Sequence, residues 1–167
     1  MSVQDDIAAI VIQESTLTLP GFTPEVAWQI GTTLRDLAVT RKLSIVIDVR
    51  RFGAPHQQLF YCALAGTTPD NQRWVARKIN TVARFHKCSY HVGRLLEQNG
   101  LSFEDRYNLP IEDYAAHGGC FPIQVEGTGI VGAVTVSGLP QRDDHNLVVE
   151  ALCIVTGRDY DKLRLPA

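Results

Sequence analysis

Residues Gly118–His145 read GGCFPIQVEGTGIVGAVTVSGLPQRDDH. β-Branched and apolar residues fill Cys120–Val125 and Gly129–Ser137, and Glu126-Gly127-Thr128 between them is turn chemistry, so the segment is predicted to be an antiparallel hairpin. In the second strand, alternation puts Ile130, Gly132, Val134 and Val136 on one face, the face expected to meet the core. Asp143 or Asp144 is then expected to cap a helix carrying Val148, Leu152 and Val155, closed by Gly157.

Working outward, Leu43–Arg51 and Gln58–Ala65 read as two further strands separated by Gly53-Ala54-Pro55, a second hairpin. Gln4–Glu14 suits a short amphipathic helix, and Thr16–Leu19 is extended before Pro20-Gly21. Thr23 caps a helix with Pro24 at its first position and Val26, Ile30, Leu34 and Leu37 on one face, running to about Thr40. Asp70 is read as the N-cap of a long helix whose face carries Val75, Ile79, Val82, Phe85, Val92 and Leu96. Unbroken to Gln98, it would span about 43 Å at ~1.5 Å per residue, so a break near Ser89 is expected. Leu101–His117 is a polar connector with a helical turn at Ile111–Ala115. Hairpins rather than repeated crossovers link the strands, so the expected fold is α/β of the α+β kind, an antiparallel sheet flanked by helices in a single domain.

Composition narrows the functional classes. A net charge of −2 argues against a protein whose main partner is nucleic acid, and no apolar run reaches the ~18 residues of a membrane span. Cys62, Cys88, Cys120 and Cys153 lack metal-ligand or redox spacing and read as packing thiols, in keeping with a reducing, cytoplasmic setting. No pre-formed metal chelate is spelled by His56, His86, His91, His117 and His145, which show no HxH, HxxxH or CxxCH pattern.

Candidate chemistry gathers in few places. Gly118-Gly119 is open to two readings, a backbone nest for an anion or a turn that starts a strand. Ser137-Gly138-Leu139 and Asp143-Asp144-His145 bring a hydroxyl, carboxylates and an imidazole to one strand-to-helix turn, without the GxSxG elbow of a hydrolase. His145 is the titratable residue singled out there, as a catalytic candidate or a locally bonded side chain. Asp70, Asn71, Arg73, Trp74, Arg77 and Lys78 make a polar helix start, in which Arg77 or Lys78 could hold a carboxylate or phosphate and Trp74 packs in the core or an interface. Asp48 and Arg50 share a strand face, as an ion pair or as part of a pocket with Phe52 and His56.

Gln58-Leu59-Phe60, Ala65-Gly66-Thr67, Pro69-Asp70-Asn71 with Trp74 and Arg77-Lys78, Gly118-Gly119 with Phe121-Pro122, and Ser137-Gly138-Leu139 with Asp144-His145 together resemble uncharacterised protein family 0303. That family is a branch of the heme-degrading-domain superfamily that includes the HbpS and GlcG proteins, and the resemblance spans nearly the whole chain. It implies a profilin-like fold on a five-stranded antiparallel sheet, homo-oligomers, and heme as a possible cofactor. The expected function is binding of heme or a small anionic metabolite. The expected ligand-binding residues are Arg77, Lys78, Gly118, Gly119, Phe121, Ser137, Gly138 and His145. The rival readings are an enzyme acting on that ligand, by heme-linked oxidation or by acid–base chemistry at His145, and an oligomeric scaffold for protein partners.

Overall fold

The computed structural model describes residues 2–166. Its five strands are β1 (Thr18–Leu19), β2 (Val46–Arg51), β3 (Gln57–Ala63), β4 (Cys120–Val125) and β5 (Gly129–Ser137), lying in the order β1-β4-β5-β2-β3. The β4–β5 hairpin occupies the residues that the sequence assigns to it, with Cys120 opposite Thr135 and Phe121 opposite Val134. β2 pairs antiparallel with both β5 and β3, which places Asp48 between Thr135 and Tyr61. One pairing departs from the expected antiparallel sheet: β1 runs parallel to β4. No hairpin joins these two strands, so no tight turn dictates opposite directions.

The described residues form seven helices: α1 (Val3–Thr16), α2 (Pro24–Thr40), α3 (Pro69–Phe85), α4 (Ser89–Gln98), α5 (Phe103–Tyr107), α6 (Gln141–Thr156) and α7 (Tyr160–Leu163). The larger core lies under α2 and α6, where Ile30, Leu34, Val148 and Leu152 meet Ile47, Val49, Val134 and Val136. The opposite face carries α3, whose Val75, Ile79 and Val82 pack on Val46, Cys120 and Ala133. β5 is therefore buried on both faces toward its C-terminal end, and the expectation of one core face covers only half of its packing.

The long helix breaks where its length demands it. His86 adopts the left-handed conformation at φ 53°, and Cys88 then caps α4 by accepting the His91 N–H on its thiol sulfur at 3.3 Å. Two cap assignments need correction. Thr68, not Asp70, is the N-cap of α3, and Pro140 holds that position in α6 while Asp143 and Asp144 lie inside the first turn. Pro69 at the first helical position accounts for the α3 shift, because its fixed φ and missing N–H suit that site. The connector contains α5, started by a Ser102–Asp105 capping box, while Ile111–Asp113 forms only a turn. All four cysteines are unpaired, and burial pushes Cys120 up to about 12 and Cys153 up to about 11, values of inert packing thiols.

Candidate functional site

β5 ends at Ser137 and leads through Gly138-Leu139-Pro140 into α6, while β3 ends opposite the same residue of β2, Val46, and leads into α3 at Pro69, so both helices start at one end of the sheet, on opposite faces. The first turns of both helices border one cleft of about 310 Å³, α3 through Thr68, Asp70 and Asn71 and α6 through Leu139 and Gln141. A helix N-terminus leaves N–H groups without intrahelical partners and concentrates a partial positive charge. At the strand end, Ser137 is only 4% exposed, lines the cleft, and its hydroxyl takes part in no hydrogen bond among the described residues. Asn71 Oδ1 accepts the Thr68 N–H at 2.8 Å, which leaves the side-chain amide N–H groups to the cleft.

The floor is a buried ion pair. Lys78, 2% exposed, donates to Asp144 Oδ2 at 2.9 Å and to the Val136 carbonyl at 3.0 Å. The other oxygen of Asp144 accepts the Leu139 N–H at 3.0 Å. Burial raises the Asp144 carboxyl, opposed by Lys78 and by the Leu139 and Gly138 N–H groups. Gly118 and Gly119 stand behind this floor: a Cβ on Gly119, whose φ is +117°, would come within 2.4 Å of the Val136 carbonyl and 2.7 Å of Lys78 Nζ. A Cβ on Gly118 would meet the Gln141 carbonyl at 2.0 Å. The glycine pair thus admits the Lys78 ammonium and the first turn of α6, a packing role rather than an anion nest.

Trp74 and His117 form the aromatic wall, edge to face with centroids 4.9 Å apart. Asp70 Oδ2 accepts the Trp74 indole N–H at 3.1 Å, and the Arg77 guanidinium lies 4.5 Å from the ring centroid. Trp74 therefore lines the cleft instead of packing in a core. His117 is held below imidazole's ordinary value, first by partial removal from water and then by the Lys78 and Arg77 charges. Arg77 itself lies outside this cleft; it lines a neighbouring one of about 280 Å³ with Arg73 and Glu112, and its Nη2 donates to the Tyr114 carbonyl at 3.4 Å.

Of the expected ligand-binding residues, Lys78, Ser137 and Gly138 meet at the cleft, joined there by Asp70, Asn71, Trp74, His117, Leu139 and Asp144, which the sequence also singled out. Phe121 and His145 do not: both point into the larger core, with ring centroids 6.0 Å apart and His145 only 1% exposed. The Gln13 side chain donates to the Leu163 carbonyl at 2.6 Å and so faces His145 Nε2 with its oxygen, 2.8 Å away. Nε2 is then the protonated nitrogen of a neutral ring. Burial, with Arg142 and His91 nearby, drives that imidazole down to about 3. A ring sealed in this way has no route to a substrate. Asp48 is the buried partner of Arg50 and Gln58 Nε2, and His56 accepts the Gly53 N–H beside Phe52, both away from the cleft. No cluster of three metal-ligating side chains occurs among the described residues. Thr68 and Gln141 were not singled out by sequence, and their only signal is position at a helix start.

Comparison with known proteins agrees with this architecture. A family model described as "Haem degrading protein HbpS-like" matches residues 22–153. A UPF0303 protein of Acidobacterium capsulatum is 54% identical over 166 residues, covering 99% of each chain, and one of Paraburkholderia phymatum is 51% identical over 165 residues, covering 99% of this chain and 98% of that one. Among solved structures, the Ybr137w protein superposes with a TM-score of 0.82 at 26% identity, covering 90% of this chain and 88% of the other. HbpS superposes at 0.63 with 19% identity over 84% and 94%, and a PduOC:heme complex at 0.66 with 12% identity over 80% and 94%; both show the fold alone.

Proposed function

The chain belongs to the HbpS-like family and, within it, groups with the UPF0303 proteins, and from that premise we propose that it binds a small anionic molecule in the cleft between the first turns of α3 and α6. One observation carries the reading: Ser137, a residue only 4% exposed, has a hydroxyl without a protein partner and lines the cleft that the starts of α3 and α6 border. Helix N-termini favour anions, and a hydroxyl without a protein partner at the wall of a cleft is free to bond a ligand there. Lys78 contributes a fixed ammonium at the floor, already balanced by Asp144, so the selectivity comes from N–H and O–H groups more than from net charge.

The relatives' names connect the family with haem, and the residues of this chain set a limit on that connection. As a single enclosed ligand haem does not fit the cleft: about 310 Å³ lies at the small end of the ~300–1,000 Å³ of ligand pockets, and the floor is an ion pair rather than an apolar slot. His117 is the one histidine that borders it, while His91 and His145 are bonded to Glu14 and Gln13 inside the protein.

A thermal-shift series with small carboxylates, inorganic phosphate and haemin tests the reading. Stabilisation that grows with carboxylate concentration, and that Ser137→Ala weakens, is expected; a shift with haemin alone would overturn it. We also read the protein as self-associating in a reducing compartment. Trp28, 63% exposed, Tyr61 and Ile154 leave apolar surface uncovered, and β3 has an unpaired outer edge. Light scattering behind size exclusion checks this: a mass well above 18.5 kDa is expected, and a monomer contradicts it.

A further inference from the structure

The anion cleft just proposed is not uniformly polar, and the way its two ends differ carries a narrower conclusion. Asn71, Trp74 and Lys78 follow one another along the cleft-facing side of α3. Residues spaced by three or four positions stack one turn apart, about 5.4 Å along the axis. Lys78 and Ser137 thus form a polar end, and Trp74 with His117 forms an aromatic wall about one turn away.

Both ends are held in place. Trp74 is fixed at its N–H by Asp70 and covered by Arg77, so the indole does not have to be ordered when a ligand arrives. Two acidic groups line the cleft, and each already has partners. Asp144 faces Lys78 and the Leu139 N–H, and Asp70 faces Trp74. The donors left over are the Ser137 hydroxyl, the Asn71 amide and the N–H groups of Asp70 and Gln141, since Pro69 has none and the Asn71, Asp143 and Asp144 N–H groups already bond to Thr68 and Pro140 carbonyls. The volume suits one ring with a short substituent.

We propose that the ligand is a small planar aromatic or heteroaromatic carboxylate, its carboxylate at Ser137 and the start of α6 and its ring against Trp74 and His117. This rests on the reading of the cleft as an anion site and adds the requirement for a ring. An aromatic pair contributes beyond its buried area, and the area of one ring adds to it, so a discrimination of at least about tenfold against an aliphatic acid follows.

The protein has two tryptophans, Trp28 and Trp74, so the full-length Trp28→Phe variant makes Trp74 the sole indole reporter. Titration with benzoate, acetate, benzamide and inorganic phosphate, read by Trp74 fluorescence and by thermal shift, separates the possibilities. Benzoate is expected to bind saturably, with acetate, phosphate and benzamide each at least about tenfold weaker, equivalent to ~1.4 kcal/mol. Ser137→Ala and, read by thermal shift in the parent protein, Trp74→Leu are each expected to weaken benzoate by a similar factor. Acetate or phosphate equal to benzoate would overturn the ring requirement while leaving the anion cleft standing. Benzamide equal to benzoate would overturn carboxylate recognition. No binding of any probe would overturn the underlying reading itself.

Discussion

The two faces of the sheet treat polar side chains in opposite ways. Under α2 and α6, His145 is enclosed among Phe121, Tyr90 and Gln13, and its one protonated nitrogen is matched by one oxygen. Across the sheet, α3 brings Lys78 and Asp144 together at the floor of an open cleft, with the Ser137 hydroxyl left unmatched. His145 and Asp144 are neighbours in sequence, yet one belongs to the core and the other to the cleft. On a helix, adjacent positions point about 100° apart, so one step along α6 changes which layer a side chain enters.

The largest test of that contrast is Lys78→Ala, which leaves Asp144 buried without its cation. A loss of about 3–5 kcal/mol in urea unfolding is expected, and the double variant Lys78→Met/Asp144→Leu should recover most of it. Recovery of stability without recovery of carboxylate binding would sharpen the contrast between holding the fold and holding the ligand. Next in size is Gly119→Ala, where a Cβ at φ +117° meets the Val136 carbonyl and Lys78 Nζ; a loss of roughly 2 kcal/mol or more is expected by thermal melting.

The acid limb of stability reports on the core face. His145 binds a proton near pH 6.5 when unfolded and only near 3 when folded, so the unfolded state takes up more protons between those values. Stability is therefore full above about 6.5 and falls as pH drops toward 3, by up to ~1.4 kcal/mol per pH unit. Asp144, raised by burial, works in the opposite direction in the acid range. His145→Phe isolates the imidazole: its urea midpoint should fall less steeply between pH 6 and 4 than that of the parent, and an unchanged slope would break the assignment. The smallest stability effect is expected from Ser137→Ala, within about 1 kcal/mol, because no protein partner is lost.

The sequence made the architecture legible where local rules act alone. The β4–β5 hairpin, Thr23-Pro24 at the start of α2 and the break before Ser89 each follow from turn, cap or length chemistry. The cleft was legible only in part. Ser137, Gly138 and Lys78 were found as polar or small residues at strand and helix ends. Phe121 and His145 were misplaced because a double-sided sheet gives no sign in its sequence of which face stays open. The roles of Gly118 and Gly119 depend on Gln141, Val136 and Lys78, contacts between distant segments that no local pattern records. His117 and Trp74 meet for the same reason, one from a connector and one from α3.

The central claim is that the α3 side of the sheet, not the histidine in the core, receives the ligand. Backbone amide and indole NMR shifts during a benzoate titration of the full-length protein test it most directly. The account predicts saturable shifts at the Trp74 indole N–H, Gly138, Leu139 and Gln141, with the amides of Gln13 and Leu163 still. Shifts centred on Gln13, His145 and Leu163, or none that saturate, would contradict it.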